Sequence, residues 1–149
     1  MSNVFNLFLH VTFAILGFVF WGLGIALLYI MRQNERILEL GKFAATSLII
    51  GGIFFTLMQF FGSLTYSPYG SQISGFLKDE YPFWKGIFDY KLLLVNTPAT
   101  LMGFGAAACA WVASGRRDVT LSLIFSVGAA LLFLVALVFA VLVTTTYSV

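Results

Sequence analysis

Few side chains within this apolar sequence are suited to chemistry, and three of them share one depth. His10 is the only histidine, and Gln59 and Asn96 are amides within two other apolar runs. At ~1.5 Å of helical rise per residue, each lies about 9 to 10 Å inside one end of its run. Since successive runs alternate in direction, these ends share one face. The three residues predict a small polar layer that would bind a quinone, another lipid-like head group, or a haem shared with a neighbouring subunit.

A purely structural role explains the same three residues. Polar side chains of adjacent membrane helices hydrogen-bond one another, and each bond contributes about 0.6 to 2 kcal/mol. No Asp, Glu, Lys or Arg lies deep within an apolar run, so the sequence provides no relay of buried carboxylates. One histidine is too few for a bis-histidine haem or a three-histidine metal site within one chain. We therefore expect no metal site and no catalytic activity of the chain's own.

Four apolar runs hold these residues. The chain is 60% hydrophobic and only 9% charged, whereas soluble domains carry about 25% charged residues. The runs cover residues 4–31, 43–66, 90–114 and 120–147. Each run exceeds the ~20 residues that cross a bilayer, and a spanning segment must satisfy its backbone internally as a helix. The sequence predicts an all-α integral membrane protein, a single domain over residues 1–149 with four transmembrane helices in an up-down bundle. Pro98 predicts a kink in the third helix.

The basic residues predict the orientation of the chain in the membrane. Short loops rich in Lys and Arg stay on the cytoplasmic side. Arg32, Arg36 and Lys42 separate the first two runs, and Arg116 and Arg117 separate the last two. Both loops follow odd-numbered runs, so both face the cytoplasm and both termini are outside. We expect a protein of the bacterial inner membrane.

Residues 67–89, between the second and third runs, combine aromatic rings with charged side chains. Pro68 and Pro82 predict a turn followed by two short helical pieces. Rings and lysines suit the headgroup region, so we expect an interfacial segment on the outer leaflet or across the outer helix ends. A belt that only anchors this loop at the interface explains the same composition. The rings that we expect to bind a partner protein are Tyr81, Phe83, Trp84 and Phe88.

Small and large side chains predict how the helices pack. Gly103 and Ala107 of the third run, and Ser47 and Gly51 of the second, are spaced four apart, as is typical of close helix contacts. The second and third helices are therefore expected to form the closest pair. The bulky rings that we expect to face lipid or another protein are Phe13, Phe18, Phe20, Trp21, Phe54, Phe55, Phe60 and Phe61.

Residues 8–24, FLHVTFAILGFVFWGLG, resemble the first helix of several four-span bacterial membrane families, including copper-resistance membrane proteins. The resemblance covers one helix and assigns no role to any residue.

Three functions are compatible with this sequence. Composition favours an accessory subunit of a larger membrane complex, of the respiratory or photosynthetic electron-transfer type, that contributes packing, lipid or quinone contacts and docking at the outer face. The first alternative is a small oligomeric channel or carrier for a small or lipophilic solute. The second is a haem- or quinone-binding redox protein that uses His10, in which a haem would need a ligand from another subunit. The expected partners are other membrane subunits and lipids, and no basic block suited to nucleic acid is present.

Overall fold

The computed structural model describes residues 2–33, 40–94, 98–113 and 119–147. Within these ranges, side chains are described except at 2–3, 65–74, 77, 88, 91–94, 140 and 143–147. The described residues form the helices α1 (Ser2–Gln33), α2 (Leu40–Glu80), α3 (Pro82–Leu94), α4 (Thr100–Ala113) and α5 (Thr120–Tyr147). They contain no strand, and all except Tyr81 and Val119 are helical. The all-α prediction is confirmed.

Three helical segments are long and apolar enough to cross a membrane. They are Val4–Gln33, Leu40–Leu64 and Thr120–Phe139. α4 is also apolar, but its 14 residues fall short of the ~20 that cross a bilayer. These segments identify the chain as a membrane protein. Of the predicted third run, residues 90–94 belong to α3 and residues 100–113 to α4, while residues 95–97 lie outside the described residues.

The three prolines have different effects on the helices that contain them. Pro82 is the first residue of α3, where the missing N–H has no helical partner to lose. Pro98 and Ala99 form a π-helical turn directly before α4, and the kink predicted at Pro98 stays a prediction. The predicted turn at Pro68 is wrong, because α2 continues through it to Glu80. A proline removes one helical hydrogen bond, and neighbouring residues can keep the rest of the helix intact.

The most extensive helix contact is between α1 and α2. Buried residues of α1 recur every four or three positions, at Gly17, Trp21, Gly24, Leu28 and Met31. Those of α2 follow the same spacing, at Ala44, Leu48, Gly51 and Phe55. This spacing is that of helices which pack side by side in a left-handed coil.

Large side chains of one helix meet glycines of the other along this contact. An added Cβ at Gly17 would lie 2.9 Å from the Phe55 ring, and one at Gly24 would lie 2.7 Å from Cγ of Leu48. In the opposite sense, a Cβ at Gly51 would lie 3.2 Å from Cε3 of Trp21. The prediction that the second and third runs form the closest pair is therefore wrong. That prediction considered small residues within each helix, whereas the complementarity lies between α1 and α2.

The remaining contacts continue from helix to helix. α2 packs on α4, α4 on α5, and α5 on α1, while α3 packs along α5 and also contacts α2. Phe55 stacks on Phe133 with ring centroids 4.0 Å apart, and Trp21 lies against both rings. Trp21 is 2% exposed and Phe55 is 1% exposed, so the expectation that these two rings face outward is wrong. Phe18 is half-buried and also packs on this cluster.

Two hydrogen bonds tie α5 to its neighbours in the core. The indole Nε1 of Trp21 donates to the carbonyl oxygen of Ser126 at 3.1 Å. The Ser122 hydroxyl donates to the carbonyl oxygen of Ala106 at 2.8 Å. Within the described part of the chain, every buried side-chain nitrogen or oxygen has a hydrogen-bond partner. Since hydrocarbon offers no substitute partner, these bonds position the helices relative to one another.

Candidate functional site

His10 is held in one orientation by the backbone of α2. Its Nδ1 lies 2.7 Å from the carbonyl oxygen of Met58. A carbonyl oxygen can only accept a hydrogen bond, so Nδ1 carries the proton and donates. In the neutral imidazole, Nε2 is then left with its lone pair as an acceptor. The contact therefore fixes both the direction of the ring and the chemistry of its second nitrogen.

Gly62 makes the approach of His10 possible. It lies one turn beyond Met58 on α2, and an added Cβ there would lie 2.8 Å from Nδ1 and 2.9 Å from Cε1 of His10. Carbon atoms do not approach that closely, so any larger residue would push the ring away. The edge of the ring that carries Nδ1 faces α2, and Nε2 lies farther from Gly62.

Gln59 follows Met58 in sequence and reaches a different helix. Its Nε2 donates to the hydroxyl oxygen of Thr100 at 2.7 Å. Thr100 is the first residue of α4, directly after the π-helical turn. His10 of α1 thus bonds to the backbone of Met58 on α2, and Gln59, the next residue of α2, bonds to α4. The two side chains lie at one level, which we call the polar level, but they do not bond to each other. Asn96, the third residue of the predicted layer, lies outside the described residues.

Aromatic rings line the contact between α1 and α2 beside this polar level. Phe13 stacks on Phe61 at 5.5 Å and on Phe54 at 5.9 Å, and Phe20 contacts Phe54 at 5.6 Å. All four rings are half-buried. We call Phe13, Phe20, Phe54 and Phe61 the aromatic stripe. The stripe begins one helical turn from His10, because Phe13 lies three residues after it and residues three apart are neighbours on a helix.

A second aromatic group lies where α2 meets α3. Tyr81 contacts Phe76 at 5.8 Å, and Phe83 meets Trp84 edge-on at 5.6 Å. Phe83 is 73% exposed and Tyr81 is 44% exposed. We call Phe76, Tyr81, Phe83 and Trp84 the aromatic corner. Phe88, the fourth ring predicted to bind a partner, has a side chain outside the description.

The backbone and a surface ion pair hold the aromatic corner in shape. The carbonyl of Tyr81 accepts the first backbone hydrogen bond of α3, from the N–H of Lys85 at 3.1 Å. The side chain of Lys85 also pairs with Asp89 one turn later. An exposed pair of this spacing stabilises a helix by only about 0.3 to 0.5 kcal/mol. The corner therefore depends mainly on the backbone junction at Tyr81.

Sequence reasoning missed Met58 and Gly62. Met58 contributes a backbone carbonyl, and no side-chain pattern reveals such an acceptor. Gly62 could have been found, because a glycine on one helix at the depth of a large polar ring on the next predicts that the ring packs there. His10 and Gly62 lie at comparable distances from the ends of the first two apolar runs.

No known protein family, curated protein or solved structure matches this chain. Its function is therefore inferred from its residues and their geometry.

Proposed function

We propose that this chain is an accessory subunit of a larger membrane complex of the respiratory or photosynthetic electron-transfer type. In this proposal α1, α2, α5 and the joined segment of α3 and α4 form an up-down four-helix bundle in a bacterial inner membrane, with both termini outside. The succession of contacts from α1 to α2, α4, α5 and back to α1 supports the bundle. The charges at the connections support the orientation, and Arg32 and Lys42 at the first connection are exposed.

The filled centre of the molecule supports a packing role. The stacked rings of Phe55 and Phe133, with Trp21 against them, occupy the space between α1, α2 and α5. On the far side, a Cβ added at Gly103 of α4 would meet the Trp21 ring at 2.2 Å. Side chains therefore fill the interior of the helix bundle at the depth of Trp21. A filled interior is what we expect of a subunit that acts by packing against other subunits.

The aromatic corner carries the proposal. The second apolar run ends at residue 66 of the sequence, and α2 itself ends at Glu80. Fourteen residues of helix extend about 21 Å along the axis, at ~1.5 Å per residue. The headgroup layer on each side is only about 5 to 8 Å thick. A helix that keeps its direction would hold Phe83 beyond the lipid, where exposed rings are typical of protein contacts.

Substitution of the corner tests the docking role. Phe83→Ala and Trp84→Ala should release partner subunits during gentle extraction from the native membrane, with the stability of the isolated chain unchanged. Phe43→Ala is the matched control, because Phe43 is also a phenylalanine, is 65% exposed and lies at the opposite end of α2. If both corner variants keep the complex intact, the docking role is wrong.

The hydrogen bond between Gln59 and Thr100 favours the alternative of a small oligomeric channel or carrier. It joins α2 to α4 beside a π-helical turn, and such turns are frequent at functional sites. In this alternative, Gln59 and Asn96 would line a path for a small or lipophilic solute. Replacement of both by Leu should abolish flux into proteoliposomes, and unchanged flux would reject the alternative.

A further inference from the structure

The unused nitrogen of His10 is open to its surroundings. Nδ1 is occupied by the Met58 carbonyl, and Nε2 has no partner among the described residues. Every buried side-chain nitrogen or oxygen in that part of the chain is paired. An unpaired Nε2 is therefore accessible from outside the protein.

The depth of this nitrogen makes its exposure costly in a bilayer. His10 lies six residues inside the apolar segment that begins at Val4, which is about 9 Å along the helix. Acyl chains offer no hydrogen-bond donor, and an unsatisfied polar group in hydrocarbon is unfavourable. A lipid-soluble molecule with a donor at this depth would satisfy it.

We propose that Nε2 of His10 accepts a hydrogen bond from a hydroxyl group of a lipid-soluble hydroquinone bound at the contact between α1 and α2. A hydroquinone carries a phenolic donor on an aromatic ring and dissolves in the hydrocarbon layer. The corresponding quinone has only acceptors and cannot bond to a lone pair. The inference rests on the membrane embedding of the proposed function, and it deepens its quinone contact, but it does not depend on the aromatic corner.

The surroundings of His10 match such a ligand. Asn6 lies one helical turn from His10 on the same side of α1, is half-buried, and has no side-chain hydrogen bond among the described residues. Its amide can donate to an oxygen on the far side of the ligand ring. Phe13, three residues after His10 on α1, stacks at 5.5 Å on Phe61, which adjoins Gly62 on α2, and the two rings of the aromatic stripe offer aromatic surface near this level. A phospholipid ammonium group would lie in the headgroup layer, too shallow to reach Nε2.

The single histidine provides a direct test. The whole chain, labelled at histidine nitrogen, is placed in phosphatidylcholine nanodiscs and titrated anaerobically with a short-chain ubiquinol analogue or its oxidised quinone. Nitrogen NMR should show a protonated Nδ1 throughout. The reduced analogue should shift the Nε2 resonance, and the oxidised form should leave it in place.

Two neighbouring substitutions control for structure. Gly62→Ala would displace the imidazole ring without touching the ligand, and the loss of an oriented hydrogen bond should weaken ubiquinol binding about tenfold. Ser63→Ala, at the next position, removes only a hydroxyl that bonds to Phe60 of its own helix, and should leave affinity unchanged. His10→Phe should abolish the preference for the reduced form.

Three results would overturn the inference. These are an Nε2 resonance that ubiquinol does not move, equal binding of ubiquinol and quinone, or the same shift on adding phosphatidylethanolamine without ubiquinol. The last result would identify a lipid headgroup as the occupant. Because the assay uses the isolated chain, its failure is distinct from a failure of partner docking at the aromatic corner.

Discussion

The two halves of α1 and α2 differ in how closely they pack. In residues 17–31 of α1 every third or fourth residue is buried, in residues 44–55 of α2 more than half are buried, and glycines face large side chains across the contact. Among residues 4–14 and 56–64, none is fully buried. We call the first pair of segments the packed half and the second the open half. The polar level with His10 and Gln59 belongs to the open half.

This difference separates what holds the helices together from what is available for binding. Association of helices in lipid depends on close van der Waals contact, since acyl chains are as apolar as the side chains. The packed half provides that contact through residues that fit one another. The open half can therefore keep polar atoms accessible without loss of the fold, and the predictions below compare residues of the two halves.

The largest effect is expected from Phe55→Ala in the packed half. Phe55 is 1% exposed and stacks on Phe133, so its removal leaves a cavity between α1, α2 and α5. Such changes cost about 3 to 5 kcal/mol of unfolding free energy. Reversible unfolding in mixed detergent micelles measures the loss. Phe60→Ala in the open half, where the ring is 55% exposed, should cost less than about 1 kcal/mol. Equal losses would remove the distinction between the halves.

A smaller effect is expected from Gly103→Ala on α4. Its Cβ would lie 2.2 Å from Cη2 of Trp21, which must move and strain its bond to Ser126. Overpacking of this kind costs about 1 to 3 kcal/mol. Gly105→Ala is the matched control, since nothing lies within 4 Å of the added carbon. The same unfolding assay should show no loss for this control. A neutral Gly103→Ala would mean that α4 does not approach Trp21 this closely.

Within the open half, Gln59→Leu should cost about 0.6 to 2 kcal/mol, because it removes the bond to Thr100 that joins α2 to α4. Thr56→Val, one turn away, breaks only a bond to Gly52 of the same helix. We expect it to change unfolding free energy by a few tenths of a kcal/mol, because such bonds add little to a helix. If Thr56→Val costs as much as Gln59→Leu, the Gln59 bond does not fix α4.

The smallest effect on stability is expected at the aromatic corner. Phe83 is 73% exposed, so Phe83→Ala should change unfolding free energy by less than about 0.5 kcal/mol. Its effect should appear only in the amount of partner retained after extraction. A large loss of stability would show that Phe83 packs on its own chain instead.

The sequence predicts the elements better than their contacts. The fourth apolar run, residues 120–147, coincides with α5, and the first run lies within α1. Length and hydropathy determine such helices almost alone. The run at 90–114 was predicted as one helix kinked at Pro98, and the described structure has a π-helical turn at Pro98 and Ala99. Segment 67–89 was divided at two prolines, and only Pro82 separates helices.

The faces of the helices could not be predicted from single-helix patterns. In a membrane, a ring such as Trp21 or Phe55 is equally stable against lipid and in the protein core. Hydrophobicity therefore does not predict which of the two the ring faces. The buried faces become recognisable only when the sequences of α1 and α2 are aligned antiparallel. In that alignment Gly17 lies opposite Phe55, and Trp21 lies opposite Gly51. For the candidate site, residue type and depth placed His10 and Gln59 on one level. The Met58 carbonyl that accepts from His10 depends on that same pairing, whereas the Thr100 hydroxyl that bonds to Gln59 depends on the packing of α4 on α2.

The native mass of the chain after gentle extraction from its own membrane tests the central claim most directly. The tagged protein would be purified in a mild detergent, and its mass and absorption spectrum recorded together. The proposal predicts an assembly much larger than 16.4 kDa with stoichiometric partner subunits and the absorption of a redox cofactor. A colourless particle made only of this chain would contradict it and would favour the oligomeric channel or carrier.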